Sequence, residues 1–203
     1  MKIILVNSSP NKNGCTFRAL QEMKNVFDQE GVISEIFWLG NDGIRGCIGC
    51  GKCLSTGRCI FNDKVNEFLE KAQTADAFVF GSPVHFANIS ANLSAFMDRA
   101  FYGKTRIFAH KPACGIISAR RSGTTASLEA INKYFTISQM PIASSVYWNA
   151  VHGKTPADVE QDQEGLQTVR VLAKNLVWLT RCIKEAKIAP PDSEVPIKNN
   201  FIR

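Results

Sequence analysis

The chain has 203 residues, enough for one well-filled domain and short for two. Hydrophobic residues make up 45% and charged residues 21%, an ordinary globular balance, and no apolar run approaches the roughly 20 residues that span a bilayer. The net charge of +6 is scattered in basic runs of at most two residues, which argues against a nucleic-acid face.

The amino terminus "MKIILVNSSP" turns polar too early for a secretory leader, so a cytoplasmic location is expected. Seven cysteines in such a chain should be reduced thiols or ligands and not a disulfide framework.

In chain order, "KIILVN" (2–7) is a continuous apolar run that suits a strand buried on both faces. After the turn "SSPNKNG", "CTFRALQEMKNVFDQEG" places Phe17, Leu20, Met23, Val26 and Phe27 at helical spacing, and Gly31 stops the helix. "SEIFWL" (34–39) reads as a second strand. A loop carrying four cysteines follows, and then the helix "DKVNEFLEKAQTA" with Asp63 as N-cap. "DAFVFGSPV" holds a third strand that stops at Gly81-Ser82-Pro83. Next come a helix in "SANLSAFMDRAFY", a strand in "KPACGIISA" and a helix in "TTASLEAINKYFTI", capped by Thr124 or Thr125. "PIASSVYW" (141–148) reads as a fifth strand and residues 157–186 as one long helix. The expected organisation is one domain over residues 1–188 with an extended, Pro-rich tail over 189–203.

Strands alternating with helices predict an α/β fold, a three-layer sandwich around a five-stranded parallel sheet of flavodoxin-like order 2-1-3-4-5. The ligand crevice of such a sheet lies at the carboxyl ends of its strands.

Three loops fall at that edge. "NSSPNKNGCT" offers hydroxyls from Ser8, Ser9 and Thr16, a close backbone approach at Gly14, and the free N–H groups of a helix start, which together make an anion site. It is neither a Walker loop nor a dinucleotide-binding G-x-G-x-x-G. "GSPVHFANIS" sets His85 and Phe86 where a planar ring could lie, and "SARRSGTT" is polar, with Arg120, Arg121 and Gly123. Taken singly, each loop also reads as a capped turn, a packed strand end or a solvated loop.

Together, "SSPNKNGCT", "GSPVHFANISANLSAFMDR" and "SARRSGTTASLEAINKYF" resemble the NADPH-dependent FMN reductase and iron–sulfur flavoprotein group of the flavodoxin-like superfamily, over roughly residues 1–150. The resemblance implies FMN phosphate binding around Ser9, Asn11, Lys12, Gly14, Cys15 and Thr16. It implies a flavin ring bordered by Pro83, Val84, His85 and Phe86, with Ser118, Arg120 and Gly123 near its edge. Relatives often have Asn or Ser where this chain has Cys15, and Tyr where it has His85. The resemblance also implies NAD(P)H as cosubstrate, a small-molecule acceptor and a homodimer or homotetramer.

"CIGCGKCLSTGRC" (47–59) spaces its cysteines C-x2-C-x2-C-x5-C, which resembles the compact motif of iron–sulfur flavoproteins. That likeness implies a 4Fe–4S cluster on Cys47, Cys50, Cys53 and Cys59. C-x2-C-x2-C lets successive thiolates face a cubane, and Gly46, Gly49, Gly51 and Gly57 let the backbone wrap closely. A zinc ion and unliganded thiols remain the alternative occupants.

Three functions follow. One is an FMN oxidoreductase passing electrons from NAD(P)H to a flavin, quinone or other small acceptor. The second is a cluster-bearing electron carrier served by a ferredoxin-like partner. The third is a nonredox binding protein with a zinc-stiffened loop. Tyr147, Trp148, Asn149 and His152 are candidates for the acceptor pocket. No acid, base or nucleophile is required of the chain.

Overall fold

A computed structural model describes residues 1–192 together with 194 and 197. The elements are β1 (Lys2–Asn7), α1 (Cys15–Gln29), β2 (Ile33–Trp38), α2 (Lys52–Thr56), α3 (Lys64–Ala72), β3 (Ala77–Pro83), α4 (Ala91–Phe108), β4 (Ala113–Ala119), α5 (Thr124–Ile137), β5 (Ala150–His152), α6 (Pro156–Gln161) and α7 (Gln163–Glu185). The five strands form one sheet of order β2-β1-β3-β4-β5, with every pair parallel, as the flavodoxin-like reading expected.

Both faces of the central strands are covered, which is why β1, β3 and β4 read as continuous apolar runs. Side chains still alternate along each strand. Ile4, Val6, Phe78 and Phe80 enter one core with α3, α4 and α5; Ile3, Leu5, Val79 and Ile116 enter the other with α1 and α7. The first core is built of aromatic rings. Phe68 lies at its centre, with ring centroids of Phe37, Phe78, Phe80, Phe96 and Phe108 between 5.0 and 6.2 Å away.

Local signals set the ends of several helices. Gly31, at φ +67°, turns the chain out of α1, and the Val32 N–H closes back on the Phe27 carbonyl at 2.8 Å. Asp63 caps α3, its carboxylate accepting from the Val65 N–H at 3.1 Å.

Four local expectations are corrected. The segment 141–148 is not a strand. It touches β4 only through a bridge at Ile142, after which Ser144 and Ser145 bond to α7: Asn175 donates to the Ser144 carbonyl and the Ser145 hydroxyl to the Thr168 carbonyl. The chain returns to the sheet at Ala150. The long helical stretch is split by Asp162, whose carboxylate accepts from the Gly165 N–H and the His152 N–H and so starts α7 afresh. The N-cap of α5 is Gly123 at φ +89°, not Thr124 or Thr125. The cysteine loop contains the short helix α2, entered and left through left-handed Gly51 and Gly57. Most of the expected tail, 189–203, lies outside the described residues.

Among the described residues, no helix is long and apolar enough to cross a membrane.

Candidate functional site

The loops after β1, β3 and β4 meet at the carboxyl edge of the sheet because small residues let them. A side chain at Gly81 would strike Leu20 and Thr16 of α1 at 3.0 Å, so glycine brings the start of α1 against β3. Hydroxyls then knit the loops. Ser8 Oγ donates to the Gly81 carbonyl at 2.9 Å, Ser90 Oγ donates to Ser8 Oγ at 3.0 Å, and the Ser90 N–H reaches Ser82 Oγ at 2.9 Å.

These loops enclose a cleft of about 250 Å³, lined by Ser9, Asn11, Gly14, Cys15, Thr16, Pro83, Val84, Ser118 and Arg120, joined by Ala119, Gly153, Lys154 and Pro156. Nine of the thirteen residues marked for cofactor binding are thus brought together. The other four stand apart from the cleft wall. Lys12 lies over the Trp38 ring, its Nζ 5.4 Å from the centroid. His85 exchanges main-chain bonds with Asn88, and Phe86 is fully exposed in a left-handed conformation at φ +51°. Gly123 props the cleft from behind: a Cβ there would lie 2.8 Å from Ala87 Cα, so the loops after β3 and β4 are in direct contact.

The floor of the cleft offers main-chain donors. Gly14 caps α1 without any side-chain bond, and helix geometry leaves the N–H groups of Cys15, Thr16 and Phe17 without intrahelical acceptors. Of the three hydroxyls expected to help, Ser8 donates to the Gly81 carbonyl, whereas Ser9 serves its neighbour only as an acceptor and keeps its own O–H to donate. Thr16 Oγ1 pairs with Ser118 Oγ at 2.8 Å, and Ser9 Oγ accepts from the Asn11 N–H at 3.2 Å. Burial raises the Cys15 thiol above its ordinary range, so it stays neutral, 3.5 Å from the Gly153 carbonyl. Among the described residues no carboxylate lines the cleft, and Arg120 and Lys154 add positive charge at its rim. This donor set fits a phosphate dianion, and Pro83 and Val84 offer apolar surface to a ring beside it.

Gly153, Lys154 and Pro156 went unmarked in the sequence. They follow β5 as the other loops follow their strands, and the same edge-of-sheet logic would have found them. Tyr147, Trp148 and His152 line a separate cleft of about 270 Å³ with Asp162 and Glu164. Asn149 is buried, its carbonyl accepting from the Ile117 N–H at 2.9 Å.

The four cysteines of the loop, Cys47, Cys50, Cys53 and Cys59, lie on the wall of one cavity with Phe61, Arg99 and Tyr102. Left-handed Gly49, Gly51 and Gly57 fold the loop around it, with φ between 66° and 69°. Burial, and then the charges of Cys59, Cys47 and Cys50, raise the Cys53 thiol. Among the described residues, no three His, Cys, Asp or Glu side chains are grouped to hold a metal ion.

Arg99 lines the same cavity and carried no signal in the sequence beyond a charge inside an apolar helix. Its side chain is only 1% exposed and pairs with Asp63.

Comparison with known proteins identifies the family. An iron-sulfur flavoprotein of Methanocaldococcus jannaschii is 31% identical over 196 residues, covering 91% of this chain and all of that protein. An iron-sulfur flavoprotein of Methanosarcina thermophila is 27% identical over 195 residues, covering 91% of this chain and 98% of that one. The solved structure of a flavodoxin, WrbA-like protein from Agrobacterium tumefaciens superposes with a TM-score of 0.61 at 14% identity, covering 89% of this chain and 97% of the other; it bears on the fold alone. The family model for NADPH-dependent FMN reductase matches residues 1–155, which include every residue of the FMN-type cleft except Pro156 and all four cysteines of the loop. The chain therefore belongs to the NADPH-dependent FMN reductase family and is a flavodoxin-like, FMN-binding oxidoreductase.

Proposed function

We propose that this flavoprotein moves electrons between FMN in the cleft of Ser9, Asn11, Gly14, Cys15 and Thr16 and a 4Fe–4S cluster held by Cys47, Cys50, Cys53 and Cys59. The observation that carries the reading is that all four loop cysteines line one cavity, in a chain 31% identical to an iron-sulfur flavoprotein. When bound, FMN exchanges electrons in pairs or singly and a cluster exchanges them singly, which suits a protein that joins two-electron to one-electron partners.

The chain's own part is to bind and orient. The N–H groups of Cys15, Thr16 and Phe17 hold the phosphate, and the neutral Cys15 thiol leaves its charge unopposed. Pro83 and Val84 border the ring, while Gly123 fixes how closely the loops after β3 and β4 approach it. At the other site, Cys47 and Cys50 are exposed at the rim and Cys53 and Cys59 lie deeper. Zinc fits this loop less well. A Zn–S bond of about 2.3 Å draws four thiolates to within roughly 4 Å of one another, a tighter grouping than a cubane requires. Membership in an oxidoreductase family weighs against the nonredox reading.

The donor has two readings. The family's description favours NADPH, with the nicotinamide stacking on the open side of the cleft and the acceptor later using the same space. The exposed thiol rim favours a one-electron, ferredoxin-like protein.

Purification without oxygen, followed by iron and acid-labile sulfide analysis and a visible spectrum, tests the proposal. About four irons and four sulfides per chain with flavin bands support it; stoichiometric zinc or a metal-free loop overturns the cluster half. Bleaching of the flavin bands by NADPH selects the first donor, and bleaching only through a reduced ferredoxin selects the second.

A further inference from the structure

The fourth cysteine is held differently from the other three. Cys59 follows the C-x2-C-x2-C run after a five-residue gap, and both its main-chain groups are clamped by one side chain. Asn66 Oδ1 accepts from the Cys59 N–H at 3.0 Å, and Asn66 Nδ2 donates to the Cys59 carbonyl at 2.9 Å and to the Phe61 carbonyl at 3.0 Å. Its sulfur is met by Arg99 of α4, whose Nε–H donates to Cys59 Sγ at 3.2 Å.

Nothing about that arginine is loose. Its remaining four N–H groups reach Asp63 Oδ2 at 2.6 Å and the Arg45 carbonyl at 3.1 Å from Nη1, and Asp63 Oδ1 at 2.8 Å and the Phe61 carbonyl at 3.3 Å from Nη2. A guanidinium has five N–H donors, and each has an acceptor here. The planar group is also stacked near Phe61, its carbon 5.1 Å from the ring centroid. The direction of the Nε–H toward Cys59 is thus fixed by four other bonds and one ring.

We propose that Arg99 is a positioning residue for Cys59, which presents a permanent positive charge and a fixed N–H donor to that thiolate and so makes a cluster on these cysteines easier to reduce. The inference rests on the cluster reading above. Hydrogen bonds to ligand sulfur and nearby positive charge both favour the more negative, reduced state of an iron–sulfur centre. Asp63 does not cancel the effect. It engages the Nη edge, away from the sulfur, and is 31% exposed, so solvent screens the carboxylate while the guanidinium is 1% exposed. One electron enters and leaves; no bond forms or breaks, and Arg99 stays protonated throughout.

A purely structural tie between α4 and the segments at 45 and 59–63 would use the same contacts, so the test must read charge. The two variants are Arg99→Gln, which removes the charge, and Asp63→Asn, which removes the opposing charge yet keeps a side chain able to cap α3. Anaerobically loaded wild-type and variant proteins are titrated reductively, with optical and electron-paramagnetic readout of the cluster. The flavin bands in the same sample serve as internal reference. The proposal expects the cluster midpoint to fall in Arg99→Gln and to rise in Asp63→Asn, with the flavin midpoint unmoved. Midpoints that stay put, or shift in the same direction in both variants, overturn it. Should Arg99→Gln fail to fold, Arg99→Lys, which keeps the charge but loses the Nε–H donor to Cys59, decides: a cluster midpoint below wild type supports the proposal, and an unmoved or higher midpoint overturns it. Wild-type protein that takes up no iron overturns the underlying cluster reading; iron-loaded wild type with unshifted variants overturns only the role of Arg99.

Discussion

Gly123 connects backbone strain to cofactor affinity, and its replacement by alanine can be worked out from the geometry. The residue sits at φ +89°, where an L side chain costs roughly 1–2 kcal/mol. Its new Cβ would also stand 2.8 Å from Ala87 Cα and 3.0 Å from Val84 Cγ1, well inside the ~3.5–4.0 Å at which carbon atoms rest. Ala87 Cα is backbone and cannot rotate away, so the loop after β3 must move by about 0.7 Å or more. Strain and displacement together come to about 2–3 kcal/mol, a drop of roughly 5–10 °C in Tm for a chain of this size. Val84 lines the cleft, so FMN affinity should fall by at least ~10-fold, equivalent to ~1.4 kcal/mol. Gly31→Ala is the matched control: φ is +67° and a Cβ there meets nothing within 4 Å, so it bears the strain alone and leaves FMN affinity unchanged. Thermal melts and fluorescence titrations of FMN on both variants provide the measurement. If the two variants bind FMN equally well, the contact between the loops does not shape the cleft.

Two further outcomes follow from the packing and charge of the scaffold. Phe68→Ala removes the ring at the centre of the aromatic core, and urea unfolding should show a loss of about 3–5 kcal/mol; a loss under ~1 kcal/mol would mean the core collapses into the space. Glu22 lies between Arg18 and Arg170, tying α1 to α7; burial alone would raise its pKa, but the two guanidinium partners outweigh this and hold it below the ordinary value. A carboxylate shifted down in the folded state contributes stability above its unfolded pKa of roughly 4.3, and loses it as pH falls through the folded value. Wild type should therefore exceed Glu22→Gln in stability at pH 7, and the gap should close on acidification below about pH 4. A gap that stays constant down to pH 2 would contradict the assignment.

Much of the fold was legible because its central strands are buried on both sides. "KIILVN", "AFVFG" and "ACGIISA" have no solvent face to interrupt their apolar runs, and the turn residues after them mark where the sheet ends. The free helix start was legible for a related reason: a turn with Gly14 ahead of a helix leaves its amides free whatever the side chains do. The segment 141–148 misled because Val146, Tyr147 and Trp148 have strand-like composition, yet all three are exposed and the neighbouring serines are drawn off by α7. The partners of the Thr16 and Ser9 hydroxyls, Ser118 and the Asn11 N–H, are set by tertiary and turn geometry and carry no signal in the sequence. Arg99 was invisible for a further reason. In a helix read alone it is a solvated charge, and its burial comes from acceptors 36 to 54 positions away in the chain.

The central claim is that a phosphate dianion is bound at the start of α1 by main-chain amides. It is tested most directly by titrating the flavin-free protein with FMN and, separately, with riboflavin. Charge-assisted hydrogen bonds contribute ~1.5–3 kcal/mol each, so FMN should bind at least ~100-fold more tightly than riboflavin. Equal affinities for the two would place the flavin somewhere other than the cleft of Ser9, Gly14 and Thr16 and contradict the account.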